Sequence, residues 1–394
     1  MRGHIRTRRG PRGVSHQIVV YAGVDERGRR RYVRETIDGS KRDAERRLSQ
    51  LIAAVDTGQA GASSHARVSE LVEIWWEACT GQLSPNTRVG YRGMLRRYIL
   101  PTLGTRRIDK VKPLDLERWY ARLVAGTDAT STRPLSPLTV RKVHVLLSGI
   151  FSAAVRWGWL PVSPVQRARA PRVVMKPVEA PEPEEIARAL DAAEATGDVE
   201  LHVFLRLSAA LGTRRGETAA LHWCDVDLEH GDVFVHRSLA PDEFDPTFVL
   251  EKDTKTHASA RLAIDEETVA IVKRFRNEAR QVALAFGIAL DDDAYVFSPH
   301  PSRLVPFHPD HFGHKWDRLR KKIGLAHVRL HDFRHFHGTE LAAAGVPMTV
   351  VRDRLRHSNL RTTSMYAHPR RALDRVAADA IGDALPRARR GTPG

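Results

Sequence analysis

Hydrophobic and polar positions follow two rhythms along this chain. Near the start, apolar residues alternate with polar ones, so 17–24 and 31–37 read as two short strands around the turn Asp25-Glu26-Arg27-Gly28. A helix follows over 41–55 with Ser40 as its N-cap. From Val68 to Arg169 the spacing changes to three and four. Leu83-Ser84-Pro85-Asn86-Thr87 and Leu135-Ser136-Pro137-Leu138-Thr139 each put a capping Ser before a Pro at the first helical position, which predicts two helix starts. After the second, Val140, Val143, Leu147, Ile150, Phe151 and Ala154 recur on one face, while Arg141 and Lys142 lie off it. Beyond residue 183 the two rhythms mix. A helix opens at Pro183, and Leu201–Leu211 forms a strongly apolar helix ending at Gly212. Strands are expected over 226–228, 233–236, 248–251 and 261–264, the last two flanking a turn that contains Lys255. Helices return over 265–286, 308–323, 331–344, 349–355, 362–366 and 369–381.

Two breaks divide these patterns. Residues 57–64 are rich in Gly, Ala and Ser, and 170–183 carry four prolines among charged and apolar residues, so both read as linkers. The expected division is 1–63, 64–172 and 173–394, which suits a chain of 394 residues. Charge adds a partner to this picture. Lys and Arg number 63 against 47 Asp and Glu, a formal +16, which favours a polyanion. Residues 1–60 hold 14 Lys/Arg against 7 Asp/Glu, concentrating the surplus in the first module. Arg88, Arg92, Arg96, Arg141 and Lys142 on the helical segment are further candidates for phosphate contact. Two cysteines, Cys79 and Cys224, in unrelated surroundings support neither a disulfide framework nor a Cys-based zinc site. No apolar run approaches 18 residues and the Arg-rich start lacks a signal-peptide core, so the expectation is a cytoplasmic, DNA-associated protein with no membrane partner.

The chemistry gathers late in the chain. His331, Arg334, His357 and Tyr366 fall within forty residues, with helices between them that can fold them onto one site: two donors, a cation and a phenol suit an anion that is held and attacked. Guanidinium forks match the non-bridging oxygens of a phosphodiester with paired bonds, which makes Arg214 and Arg334 the candidates for that role. A phenol with an ordinary pKa near 10 needs a base or a cationic field to attack phosphorus. His331, three residues before Arg334 on a helix, shares its face and is placed to take the proton. Glu217, one turn after Arg214, reads as support for the site. His335 and His337 read as packing or backbone-bonding residues. His308, His311 and His314 stand at i, i+3 and i+6, but no carboxylate or Cys completes a metal set, and their basic neighbours suggest a helix facing DNA.

Several of these segments resemble the signatures of the tyrosine recombinase (phage integrase) family. Leu211-Gly212-Thr213-Arg214-Arg215-Gly216-Glu217 looks like the first. His331-Asp332-Phe333-Arg334-His335, Leu355-Arg356-His357-Ser358 and Thr362-Thr363-Ser364-Met365-Tyr366-Ala367-His368 are similar to the HxLRH, LGH and TxxxYxH elements, in order. Asp253-Thr254-Lys255-Thr256 resembles the intervening lysine hairpin. The likeness implies a multidomain chain, mostly α with small β-sheets: a sheet-plus-helix arm-binding module, a helical SAM-like core-binding domain, and a mixed α+β catalytic domain with a C-terminal docking helix and tail. It implies Tyr366 as nucleophile, Arg214 and Arg334 on the phosphate, His331 as base, Lys255 as acid to the leaving oxygen and His357 as a phosphate donor. It also implies a double-stranded DNA substrate with attachment sites, a homotetramer on DNA, a host DNA-bending protein or directionality factor, and no metal or other cofactor; the sequence has neither a GxxxxGK[ST] loop nor HExxH. The expected activity is integration or excision of a mobile element through a 3′-phosphotyrosyl intermediate. Alternatives using the same residues are a catalytically impaired DNA-binding regulator and a type IB topoisomerase-like relaxing enzyme. The chain departs from the family pattern at Arg356, where Gly is usual, which predicts a different backbone at His357. Thr213, in place of an apolar residue, is a smaller departure.

Overall fold

A computed structural model describes residues 3–10, 13–24, 30–56, 65–174, 179–242, 245, 248–253, 259–366, 379 and 381. The chain forms two compact units, 1–175 and 176–394.

The first unit opens with an antiparallel meander of β1 (Gly3–Gly10), β2 (Gly13–Val24) and β3 (Arg30–Asp38), followed by α1 (Lys41–Asp56). Ser40 caps α1, its Oγ accepting from the Asp43 N–H at 3.2 Å. Ile18, Val20 and Leu51 are buried between sheet and helix, with Ile5 and Val33 packed beside them. Strand β1 was hidden by its arginines. In register with β2 it turns Ile5, opposite Ile18, to the core face and Arg6, opposite Gln17, to the other.

The helical part comprises α2 (Val68–Cys79), α3 (Pro85–Met94), α4 (Leu100–Leu103), α5 (Pro113–Ala125), α6 (Pro137–Arg156) and α7 (Pro164–Arg167). Both Ser-Pro starts form: Ser84 Oγ accepts from the Thr87 N–H and Ser136 Oγ from the Thr139 N–H, at 3.4 and 3.1 Å. The six periodic residues of α6 are buried against Trp119, Tyr120 and Ile99, while Arg141 and Lys142 are exposed. Helix α6 is long and apolar enough to cross a membrane, but its apolar face is the core of this bundle.

The second unit is built from α8 (Pro183–Ala195), α9 (Val199–Leu211), α10 (Arg215–Ala219), α11 (Glu266–Ala285), α12 (Asp310–Lys322), α13 (Asp332–Ala343), α14 (Met348–Leu355) and α15 (Leu360–Thr363). Its aromatic core includes Phe204 stacked on Phe312 at 4.0 Å, with Phe297, Phe275 and Trp316. Strands β4 (Val226–Asp227), β5 (Asp232–Val235) and β8 (Ala260–Ala263) make one sheet, and β6 (Arg237–Pro241) and β7 (Val249–Asp253) a second. This corrects the expected hairpin around Lys255. β7 pairs with β6 and β8 with β5, so the connection bearing Lys255 links two sheets. Lys255 lies outside the described residues, as do the linker 57–64, most of the helix expected over 369–381 and the docking tail.

Candidate active site

Helix α9 ends at Gly212, whose φ of +58° and close approach to His337 leave no room for a Cβ; one built there would lie 2.6 Å from the imidazole. The chain reverses and presents Arg214 as the cap residue of α10. Thr213 is buried at this turn and its hydroxyl pairs with that of Thr218 at 2.6 Å, which explains how a polar residue is tolerated there. Glu217, on α10, accepts from the Arg214 backbone N–H at 2.9 Å and from Arg214 Nη1 at 2.6 Å.

Helix α13 carries the second group. Arg334 is 2 % exposed and donates Nη1 to the Gly212 carbonyl at 2.6 Å and Nη2 to the Leu355 carbonyl, so one guanidinium ties the end of α9 to the end of α14. His331 caps α13 in helical geometry, and its ring meets His335 edge-on at 4.8 Å. His337 bonds the Ala209 carbonyl through Nδ1 at 2.9 Å, the backbone role read for it. Its neighbour His335 differs from expectation: Nδ1 lies 3.1 Å from the Tyr366 hydroxyl. The i, i+4 spacing from His331 to His335 was the available signal.

Helix α14 ends at Arg356, φ +53°. The left-handed turn that favours glycine is therefore present, and Arg adopts it, correcting the expectation of an altered backbone at His357. The Arg356 guanidinium is buried and donates Nη2 to Glu217 Oε2 at 2.8 Å. His357 Nδ1 then sits 3.0 Å from Thr363 Oγ1, and its ring lies parallel to that of Tyr366, with centroids 6.2 Å apart. Tyr366, in a single turn after α15, is 6 % exposed and packs on Val351 and Leu355. Arg214, Glu217, His331, Arg334, His357 and Tyr366 are thus brought together, with His335 and Arg356 as additions that sequence reasoning had not placed there.

Charge and burial shape this pocket. Burial, with Arg214 and Arg356 nearby, lowers Arg334 to a pKa of about 9. His331 keeps an open edge, yet packing strips water from its ring and, with His335 and Arg334, brings it down to about 4. Burial and the three arginines bring His357 to about 4 as well. Burial raises the Tyr366 phenol above its ordinary value, with Arg334 and Arg214 opposing. For Glu217 burial would raise the pKa, but Arg356, Arg214 and Arg334 outweigh it and hold the carboxylate ionised. At neutral pH the pocket therefore contains charged arginines, neutral imidazoles and a protonated phenol.

Other candidates fall elsewhere. Arg96, Arg141 and Lys142 are exposed and Arg88 is half-buried, while Arg92 lays its guanidinium over Trp76 at 5.0 Å. On α12, Lys315 pairs with Asp198, and Arg320 and Lys321 with Asp317 of the same helix, while Arg318, Lys321 and Lys322 are exposed. His308, His311 and His314 form no ligand cluster among the described residues; His311 stacks on Phe307. His222, Cys224 and Asp293 do place ligand atoms within 4.8 Å of one another. There His222 lies between Asp293 and Glu251, and Arg237 donates to the Cys224 sulfur, which is the pattern of an ion-pair network.

Known proteins share both the sequence pattern and the fold. The phage integrase family pattern matches residues 181–372, and that of the phage integrase N-terminal SAM-like domain matches 68–124. A XerC-like tyrosine recombinase of Caldanaerobacter subterraneus is 24% identical, over 90% of this chain and 92% of its own length. The ICEBs1 integrase of Bacillus subtilis is 23% identical, over 94% and 97%. Among solved structures, the Tn1549 transposon integrase in complex with circular intermediate DNA superposes with a TM-score of 0.64 at 22% identity, over 80% of this chain and 99% of that one. A lambda integrase tetramer bound to a Holliday junction gives 0.58 at 13%, over 93% and 94%. The chain belongs to the phage integrase family of tyrosine recombinases. Its activity is site-specific DNA breaking and rejoining.

Proposed function

We propose that this recombinase integrates or excises a mobile element by attack of Tyr366 on a phosphodiester of duplex DNA at its attachment sites. The observation that carries this reading is the gathering of Arg214, Arg334 and His357 about the phenol, with both guanidinium charges bearing on it and His331 in edge contact with the His335 ring that meets its hydroxyl. Arg214 and Arg334 hold the scissile phosphate. The phenol oxygen bonds to phosphorus, the bond from phosphorus to the 5′ oxygen breaks, and a 3′-phosphotyrosyl link forms. The phenol proton passes to a neutral imidazole, His331, whose pKa of about 4 rises once an anionic phosphate lies beside it. Lys255 supplies the proton to the departing 5′ oxygen, a role carried over from the family resemblance. His357 donates to the phosphate and Glu217 orients Arg214. A second 5′-hydroxyl then reverses the step on a new partner strand, and the stored bond energy makes an external energy source unnecessary.

Exchange of two duplexes needs four such sites, so the working unit is a tetramer on DNA, the assembly seen for lambda integrase. Residues 1–63 serve as an arm-site module, 64–172 as the core-binding domain and 173–394 as the catalytic domain. The open face of the N-terminal sheet, with Arg6, Arg8, Arg34, Tyr21 and Tyr32, offers cations and aromatic rings to DNA. A host bending protein or directionality factor completes the expected partners. The test is a nicked suicide duplex carrying the genomic junction that borders the integrase gene. Wild-type protein forms an SDS-resistant adduct and Tyr366→Phe forms none; an adduct with the Phe variant refutes the nucleophile.

A further inference from the structure

Arg356 occupies a backbone conformation that an L side chain adopts at a cost, and glycine is the usual occupant of such a helix end. Its side chain offsets that cost. The guanidinium is 1% exposed and donates Nη2 to Glu217 Oε2 at 2.8 Å and Nη1 to the Arg354 carbonyl at 2.7 Å. Glu217, also 1% exposed, takes Arg214 Nη1 on its other oxygen at 2.6 Å. One buried carboxylate is thus shared by two guanidinia from opposite ends of the catalytic sequence. The other charged groups nearby are engaged elsewhere: Arg354 with the carbonyls of Ala210 and Ala263, and Asp332 with Arg329.

We propose that Arg356 is a positioning residue for DNA cleavage, which by sharing Glu217 with Arg214 leaves the remaining N–H groups of Arg214 to the scissile phosphate and sets the positive surplus of the pocket at two. This inference rests on the recombinase reading above. Among the described residues the surplus follows from Arg214, Arg334 and Arg356 against Glu217, with Asp332 offset by Arg329. A phosphodiester brings one negative charge, and in the transition state further charge builds on its non-bridging oxygens beside Arg214 and Arg334, while the phenol proton moves away to His331. The pocket therefore matches the transition state better than bound DNA, and interactions of that kind raise the rate of the chemical step without tightening binding. With glycine at 356 the surplus falls to one, the charge of the ground state.

The full-length protein on the nicked suicide duplex, in single turnover with DNA affinity measured in parallel, tests this. Arg356→Gly slows adduct formation by about tenfold to a hundredfold while Kd stays within about threefold. His357 loses a cationic neighbour and takes up its proton at higher pH than in wild type, a shift read from its imidazole resonance in the free protein. In the double variant Arg356→Gly/Glu217→Gln the surplus returns to two, and the rate recovers to within about fivefold of wild type. A single variant as fast as wild type, or a double variant slower than the single, overturns the proposal; the second outcome would make Arg356 a structural brace. Should Arg356→Gly melt below the assay temperature, Arg356→Lys keeps the charge and a cleavage rate within about fivefold of wild type, and a loss of about tenfold there overturns it equally. Wild-type protein without any adduct would remove the recombinase reading itself, whereas an active wild type matched by Arg356→Gly sinks only the role of Arg356.

Discussion

Gly338, in the middle of α13, sets the seat of Tyr366, the proposed nucleophile. A Cβ built on it lies 2.9 Å from Cε2 and Cζ of Tyr366 and 3.0 Å from Cδ2, where ordinary contact begins at 3.4 Å. The phenol ring of a Gly338→Ala variant must therefore move by about 0.5 Å, the difference between 3.4 and 2.9 Å. The helix itself favours the change, since alanine is better than glycine in a helix interior by about 1 kcal/mol. Stability and activity are thus pushed in opposite directions. A misplacement of about 1 Å costs on the order of a hundredfold in rate, so half of that costs roughly tenfold. The variant is expected to melt within a few degrees of wild type and to form the covalent adduct about ten times more slowly in single turnover, with DNA affinity unchanged. A variant as fast as wild type refutes the placement of Tyr366 against α13. A variant that is slow and also unfolded would show that the contact belongs to the core and not to the nucleophile's position.

Two further outcomes follow from the same structure. His337 is buried on the Ala209 carbonyl with a folded pKa of about 4, below the ordinary 6.5, so the unfolded chain takes up the proton first. Its contribution is fully present above about pH 6.5 and is lost as the pH falls toward 4. His337→Gln should lose roughly 3 kcal/mol less than wild type between pH 7.5 and 4, measured by urea unfolding at each pH; an acid limb as steep as that of wild type refutes the assignment. Deleting residues 1–64 should leave adduct formation on a core duplex intact, abolish recombination on complete attachment sites and flatten the salt dependence of binding. Full recombination by the shortened chain would end the arm-site reading.

The helical core was readable because its evidence is local. The Ser84 and Ser136 caps and the one-sided run from Val140 to Ala154 each specify an element within a few residues, and all three form. The β1 strand was missed because Arg6 and Arg8 on its open face outnumber the single apolar Ile5 that turns inward. Around Lys255 the strands themselves were legible but their partners were not, since pairing depends on contacts far along the chain: β7 joins β6, and β8 joins β5. In the site, Arg214, Arg334 and Tyr366 could be picked out by motif. The hydrogen bond from His335 to Tyr366 and the burial of Arg356 on Glu217 span 31 and 139 residues and leave no periodic trace. Arg356 broke a local rule, and its compensation lay on a different helix; local inconsistencies of that kind tend to mark functional sites.

The electrostatics of the pocket provide an argument that does not depend on motifs. His331 and His357 lie well below their ordinary pKa, and so does Arg334. Burial is the leading cause for each, and neighbouring arginines push all three further in the same direction. Glu217, a carboxylate drawn in among them, is held ionised by Arg356, Arg214 and Arg334. Clustered guanidinia destabilise a folded protein unless something compensates them, and Glu217 can neutralise only one of the three. Retaining the other two charges in a buried pocket is costly in the free protein and becomes favourable when an anion enters, which raises the imidazole pKa values toward those of useful proton acceptors at the moment a base is needed. On the proposed mechanism the same charge surplus readies the site for an incoming phosphate, and it ties the unusual arginine at 356 to the chemistry proposed for Tyr366.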